Sequence, residues 1–134
     1  MRVGGTPAAE ARFVVSERAQ VLIVEDDVAV QTSLDELFSR EGYEVVIAND
    51  GGEAIEILEG GLQPCCVLLD LLMPGIVGQE VLSYLAEPPH GEIPVGIMTG
   101  SPHLAPTSYT VFTKPLEMKK LLDFVGARCP LRAA

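Results

Sequence analysis

An apolar run that ends in a single acid constrains this chain most. Cys66-Val67-Leu68-Leu69 has no charged member, Asp70 follows, and Leu71-Leu72-Met73-Pro74-Gly75 completes the stretch. A short unbroken apolar run bounded by turn residues suits a strand buried on both faces. Such strands belong to parallel sheets covered by helices, and open α/β sheets place their chemistry at the strands' carboxyl ends. Asp70 stands at that end.

The rest of the chain supplies partners for such a strand. Residues 1–18 show no sustained period, and Gly4, Gly5, Thr6 and Pro7 read as loop, so this segment is expected to be a flexible lead-in. Gln20 to Val24 predicts a first strand, ending in Glu25-Asp26-Asp27. Val30, Leu34, Leu37 and Phe38 recur at helical spacing, with Asp27 as cap and Gly42 as stop. Tyr43 to Ala48 predicts a second strand. Asn49-Asp50-Gly51 turns the chain into a helix carrying Ala54, Ile55 and Leu58, which Gly60-Gly61 closes. The third strand is Cys65 to Leu69. A helix with Val77, Val81, Leu82 and Leu85 on one face runs to Pro88-Pro89. Ile93 to Met98 is a fourth strand, ending at Thr99-Gly100, and Thr110 to Thr113 a fifth, before Lys114-Pro115. The last helix points Leu121, Leu122 and Val125 inward and Lys119 and Lys120 outward. Strands alternating with helices at this spacing imply a parallel sheet with helices on both faces and right-handed crossovers.

Composition narrows the class. A chain of 134 residues, 48% hydrophobic and 21% charged, suits one globular domain, here residues 19–130 with a short tail at 131–134. A net charge of −10 argues against nucleic-acid or acidic-membrane partners, which need a basic footprint. Cys65, Cys66 and Cys129 are odd in number and lack metal-ligand spacing, so they read as reduced, mostly buried thiols. His90 and His103 read as surface loop residues. No apolar run approaches membrane-spanning length, and residues 1–10 lack the core of a signal peptide, so a soluble, cytoplasmic protein is expected.

The polar residues at the strand ends share one edge of such a sheet. Strand one ends in Glu25 and Asp26, strand three in Asp70, strand four in Thr99 and strand five in Lys114. Carboxylates packed together repel by about 1 kcal/mol or more per close pair, which a hard divalent cation such as magnesium relieves. An aspartate so placed can attack phosphorus as a nucleophile, with a lysine and magnesium stabilising the transferring phosphoryl group and a hydroxyl bonding it afterwards.

Val21-Leu22-Ile23-Val24-Glu25-Asp26-Asp27, Leu68-Leu69-Asp70-Leu71-Leu72-Met73-Pro74-Gly75, Met98-Thr99-Gly100 and Phe112-Thr113-Lys114-Pro115 together resemble the receiver domain of two-component response regulators. The resemblance covers roughly residues 20–128. It implies a flavodoxin-like, doubly wound, five-stranded parallel sheet in the order 2-1-3-4-5. It also implies that Asp70 is the phospho-acceptor, that Glu25, Asp26, Asp70 and the backbone carbonyl of Leu72 hold Mg2+, that Thr99 is the switch hydroxyl, and that Lys114 binds the phosphoryl group. Pro115 is expected to follow a cis peptide bond. The implied partners are a histidine kinase or histidine phosphotransfer protein and a downstream protein target; no membrane or nucleic-acid contact is expected from the net charge, and no enzymatic role is expected. Because the chain stops at Ala134, a stand-alone receiver is expected.

Bland roles remain for some of these residues. Asp27 reads as a helix cap rather than a ligand, and Cys65 and Cys66 as alternating strand residues. The pattern also departs from the family in three places. Thr99 to Tyr109 spans eleven positions and contains Pro102 and Pro106, too few for a normal helical crossover, so the fourth helix should be missing or reduced to a turn. The family's aromatic switch position, three residues before the lysine, is Val111. Leu72 puts no polar side chain beside the acceptor. The alternative is a pseudo-receiver serving as an interaction scaffold without phosphorylation. A dehalogenase-type phosphatase would need an acid where Leu72 stands.

Overall fold

The computed structural model describes residues 19–72 and 78–131. The expected lead-in, the Met73-Pro74-Gly75 turn and the inward Val77 lie outside the described residues, as do residues 132–134 of the expected tail. The elements, in order, are β1 (Gln20–Val24), α1 (Val28–Glu41), β2 (Glu44–Ala48), α2 (Gly51–Glu59), β3 (Cys66–Asp70), α3 (Gly78–Leu85), β4 (Val95–Thr99), β5 (Thr110–Thr113) and α4 (Met118–Arg128). All pairings are parallel, and the sheet order is β2-β1-β3-β4-β5.

Local chemistry sets the boundaries. The Asp27 carboxylate accepts the Ala29 and Val30 N–H groups at 2.8 and 3.3 Å, satisfying donors that the first turn of α1 leaves free. Gly42 ends α1 at φ +108°, a conformation that side chains with a Cβ resist. Asp50 caps α2 through the Glu53 N–H at 2.8 Å. The strand β3 is buried at all five positions because it lies in the middle of the sheet with helices on both sides. Its alternation splits two cores. Val67 and Leu69 pack with α2 and α3, while Cys66 and Leu68 pack with α1 and α4.

The β4–β5 crossover holds no fourth helix. It is reduced to one 3-10 turn at Pro102–Leu104, as the length of the connection predicts. The Lys114–Pro115 bond is cis as expected, and so is Pro88–Pro89.

Several expectations need correction. The expected third strand is shifted by one residue, so that Asp70 is itself paired, opposite Met98. The fourth strand starts at Val95 rather than Ile93. Phe124, rather than Leu122, is a fully packed position of α4, set edge-to-face on Phe112 at 5.2 Å. His90 is buried, with its ring against Tyr84 at a centroid distance of 5.3 Å, although His103 is exposed as expected. The three cysteines are not all reduced: Cys65 and Cys129 form a disulfide with Cα atoms 5.7 Å apart, because α4 returns over the start of β3. Cys66 alone stays a thiol, and burial pushes its pKa up to about 12.

The connection after β3 is pinned at its far end. The Gly78 N–H donates to the Leu71 carbonyl, and a Cβ at Gly78 would stand 2.6 Å from the Leu71 Cα. Gly78→Ala must therefore push apart backbone next to Asp70. It is expected to lower the unfolding free energy by about 1–3 kcal/mol, read as a shift of the urea midpoint. An unchanged midpoint would show that the contact relaxes without cost.

Candidate functional site

The carboxyl ends of β1, β3 and β4 and the start of the β5–α4 connection meet at one edge. Glu25 and Asp26 follow β1, Asp70 is the last residue of β3, Thr99 the last of β4, and Lys114 follows β5. One carboxylate oxygen from each of Glu25, Asp26 and Asp70 lies within 4.8 Å of the others. Glu25 is fully buried and Asp70 is 4% exposed, whereas Asp26 is open to solvent.

Lys114 holds the two buried acids together. Its Nζ lies 3.0 Å from Glu25 Oε1 and 3.2 Å from Asp70 Oδ2. Backbone donors occupy the remaining carboxylate oxygens. The Asp27 N–H donates to Glu25 Oε2 at 3.1 Å, and the Leu72 N–H to Asp70 Oδ1 at 3.0 Å. Burial pushes the Glu25 carboxyl above the usual carboxylate range, and the negative charge of Asp70 adds to this, outweighing the downward pull of Lys114 and the Asp27 N–H. Burial alone would lower Lys114, but the hydrogen bond to Glu25 and the charges of both acids raise it, so it stays cationic.

Thr99 is buried beside this cluster, and its hydroxyl accepts the Ser101 N–H at 3.0 Å. The Lys114 N–H donates to the Thr99 carbonyl at 2.9 Å, which ties the lysine's backbone to β4. Leu72 is 59% exposed at the rim. Asp27 caps α1 and is not among the clustered acids. Each residue expected at the site is thus near this edge, with Thr99 bonded to its own loop rather than to an acid.

Gln31 was not legible as a site residue. From α1 its Nε2 donates to the Glu25 carbonyl at 2.5 Å and to Asn49 Oδ1 at 2.8 Å. Asn49 in turn donates from its backbone and side chain to Glu53 at 2.6 and 2.9 Å. The loop bearing Glu25 and Asp26 is thereby anchored to α2. A polar residue on an exposed helix face carries no periodic or motif signal that could have marked it.

Three buried or clustered acids with one bridging cation form a hard, oxygen-rich donor set of net negative charge, which suits magnesium. The family model for the response regulator receiver domain matches residues 21–125. The chain belongs to the response regulator receiver family. This receiver domain is 31% identical over 121 residues to sporulation initiation phosphotransferase F of Bacillus subtilis, covering 85% of this chain and 96% of that protein. It is 35% identical over 80 residues to YrkP, an uncharacterized transcriptional regulatory protein of Bacillus subtilis, covering 60% of this chain but only 33% of that one. The receiver domain of the hybrid histidine kinase CckA has the same fold, with a TM-score of 0.69 and 33% identity over 83% of this chain and 99% of that one. Receiver domains are signalling modules that generally bind Mg2+ at an acidic pocket and interact with histidine kinases and downstream targets. The acids of this receiver are compatible with that use. No described helix is long and apolar enough to cross a membrane.

Proposed function

We propose that this receiver accepts a phosphoryl group on Asp70 from a phosphohistidine and passes the signal on by protein contact. The observation that carries the reading is Lys114 bridging buried Glu25 and Asp70 beside solvent-facing Asp26. One Asp70 oxygen attacks phosphorus, its lone pair forming the O–P bond, while the P–N bond breaks and its electrons leave on the imidazole nitrogen. Lys114 moves its hydrogen bond from the carboxylate toward the phosphoryl oxygens as charge shifts onto them. The Leu72 N–H keeps the acceptor carboxyl oriented. Glu25, Asp26, Asp70 and the Leu72 carbonyl would hold Mg2+, which supplies charge neutralisation at the transferring group. The Thr99 hydroxyl would exchange Ser101 for a phosphoryl oxygen. With histidine kinases or phosphotransfer proteins as donors, the reading puts the chain in the cytoplasm.

Val111 packs half-buried against the α2–α3 side of the core with Tyr109. A valine has no hydroxyl with which to follow Thr99, so transmission would run through the short crossover rather than through an aromatic rotamer. Incubation with acetyl phosphate and Mg2+ is expected to add one phosphoryl group, mapped to Asp70 by intact and peptide mass. No adduct, together with no amide shifts in beryllofluoride, would leave the scaffold reading instead.

Leu72 bears on the lifetime of the product. It presents carbon to any water approaching the phosphoryl group, so hydrolysis should be slow. Leu72→Asn adds a group able to orient that water and is expected to speed decay about tenfold, the equivalent of one net hydrogen bond in the transition state. Decay followed by mass after removing the donor checks this, and an unchanged rate would remove Leu72 from the account.

A further inference from the structure

A second recessed site lies at the other edge of the sheet, where α2 ends before β3 and α3 ends before β4. It is a pocket of about 350 Å³ lined by Leu58, Glu59, Gln63, Tyr84, Pro89 and His90 among others. That volume is at the low end for small-ligand sites and suits a side chain better than a cofactor. Its floor is unusual in chemistry. His90 is 7% exposed, yet its ring makes no hydrogen bond to another described residue. Among the described residues only its backbone forms hydrogen bonds, with Glu87 and Ile93. A buried imidazole whose nitrogens bond no described residue calls for a polar partner. The ring is tilted 32° from that of Tyr84, and Tyr84 and Glu59 line the same pocket.

The surroundings specify the sign of the missing partner. Residues 41–113 contain ten Asp and Glu and no Lys or Arg. Among the described residues the cations are Arg40 on α1, Lys114 after β5, and Lys119, Lys120 and Arg128 on α4. Both of those helices pack on the opposite face from α2 and α3. Among the described residues the α2–α3 side therefore carries acids and no Lys or Arg. An anion would be repelled. A divalent metal ion finds no cluster here, since the one group of three candidate ligands among the described residues is at the acidic edge already described.

We propose that this pocket is a socket for an arginine side chain presented by a basic segment of a partner protein. A guanidinium is planar and weakly hydrated, stacks on aromatic faces and pairs with a carboxylate in a fixed fork. Glu59 would accept two of its N–H groups, the Tyr84 ring would receive its face, and a His90 ring nitrogen can accept a further N–H. A lysine ammonium offers no plane to stack and pays more to lose its water. The socket is separate from the acidic site, so it does not rest on phosphorylation.

The test uses N-acetyl-arginine amide as the probe, titrated into the 15N-labelled chain. Amide shifts are expected to concentrate at residues 61–63 and 84–90. Glu59→Gln, an exposed substitution that should leave the fold and acetyl phosphate labelling unchanged, is expected to weaken binding about fivefold, as for loss of a solvent-accessible ion pair. N-acetyl-lysine amide should bind more weakly still. Shifts spread evenly over the acidic surface, indifference to Glu59→Gln, or equal binding of the lysine amide would each overturn the assignment.

Discussion

Lys114→Met is expected to slow labelling of Asp70 by acetyl phosphate about a hundredfold, in line with loss of one preorganised donor to a developing oxyanion. The same variant should make stability depend on magnesium. Glu25 and Asp70 are both buried, and Lys114 is the cation that lies between them. Breaking a buried pair typically costs 3–5 kcal/mol because it strands a charge. The Lys114 side chain is 28% exposed, so water can reach part of the gap and about 2 kcal/mol is the better expectation. Magnesium can then replace the lost charge. Adding it should raise the urea midpoint of Lys114→Met by more than that of the parent chain, through preferential binding to the folded state. Equal midpoint shifts in both proteins would mean that Lys114 does not balance the two acids. Labelling at the parental rate would separately remove it from the proposed transfer step.

Much of this arrangement could be read from the sequence because the relevant signals are local. An apolar run without polar interruptions marks β3, and the acid that ends it is conspicuous for that reason. Counting residues between Thr99 and Tyr109 is enough to exclude a helical crossover, since chain length bounds reach. What escaped reading depends on contacts between distant residues. Gln31 meets Glu25 and Asn49 only after α1 has packed beside the β1 and β2 ends. Phe124 is buried through its partner Phe112, and helical spacing alone could not prefer it to Leu122. His90 follows two prolines and looks like loop, but the chain folds back so that its ring reaches Tyr84. Cys65 and Cys129 lie 64 residues apart, and nothing in their spacing announces that the end of α4 reaches the start of β3.

That cross-link carries the second large effect. Opening the Cys65–Cys129 disulfide with a dithiol reductant is expected to lower the unfolding free energy by about 4 kcal/mol, from the chain-entropy cost of closing a loop of this length. The disulfide acts mainly on the unfolded chain, which it keeps from separating the start of β3 from the end of α4. The folded chain has other holds on α4. Leu121, Phe124 and Val125 remain in the core, and the Tyr43 hydroxyl donates to the Cys129 carbonyl at 2.9 Å. The reduced protein should therefore keep its fold at 25 °C, with a melting point lower by roughly 10 °C or more for a domain of this size. Cys66 should not take over the link, because its thiol is buried and burial disfavours the thiolate needed for exchange. Urea melts with and without dithiothreitol, run on the parent chain and on Cys65→Ser, separate the cases. The parent should lose stability on reduction, and Cys65→Ser should match the reduced parent and ignore the reductant. A parental midpoint that does not move on complete reduction would show that the packing of α4 already supplies all the constraint the disulfide could add.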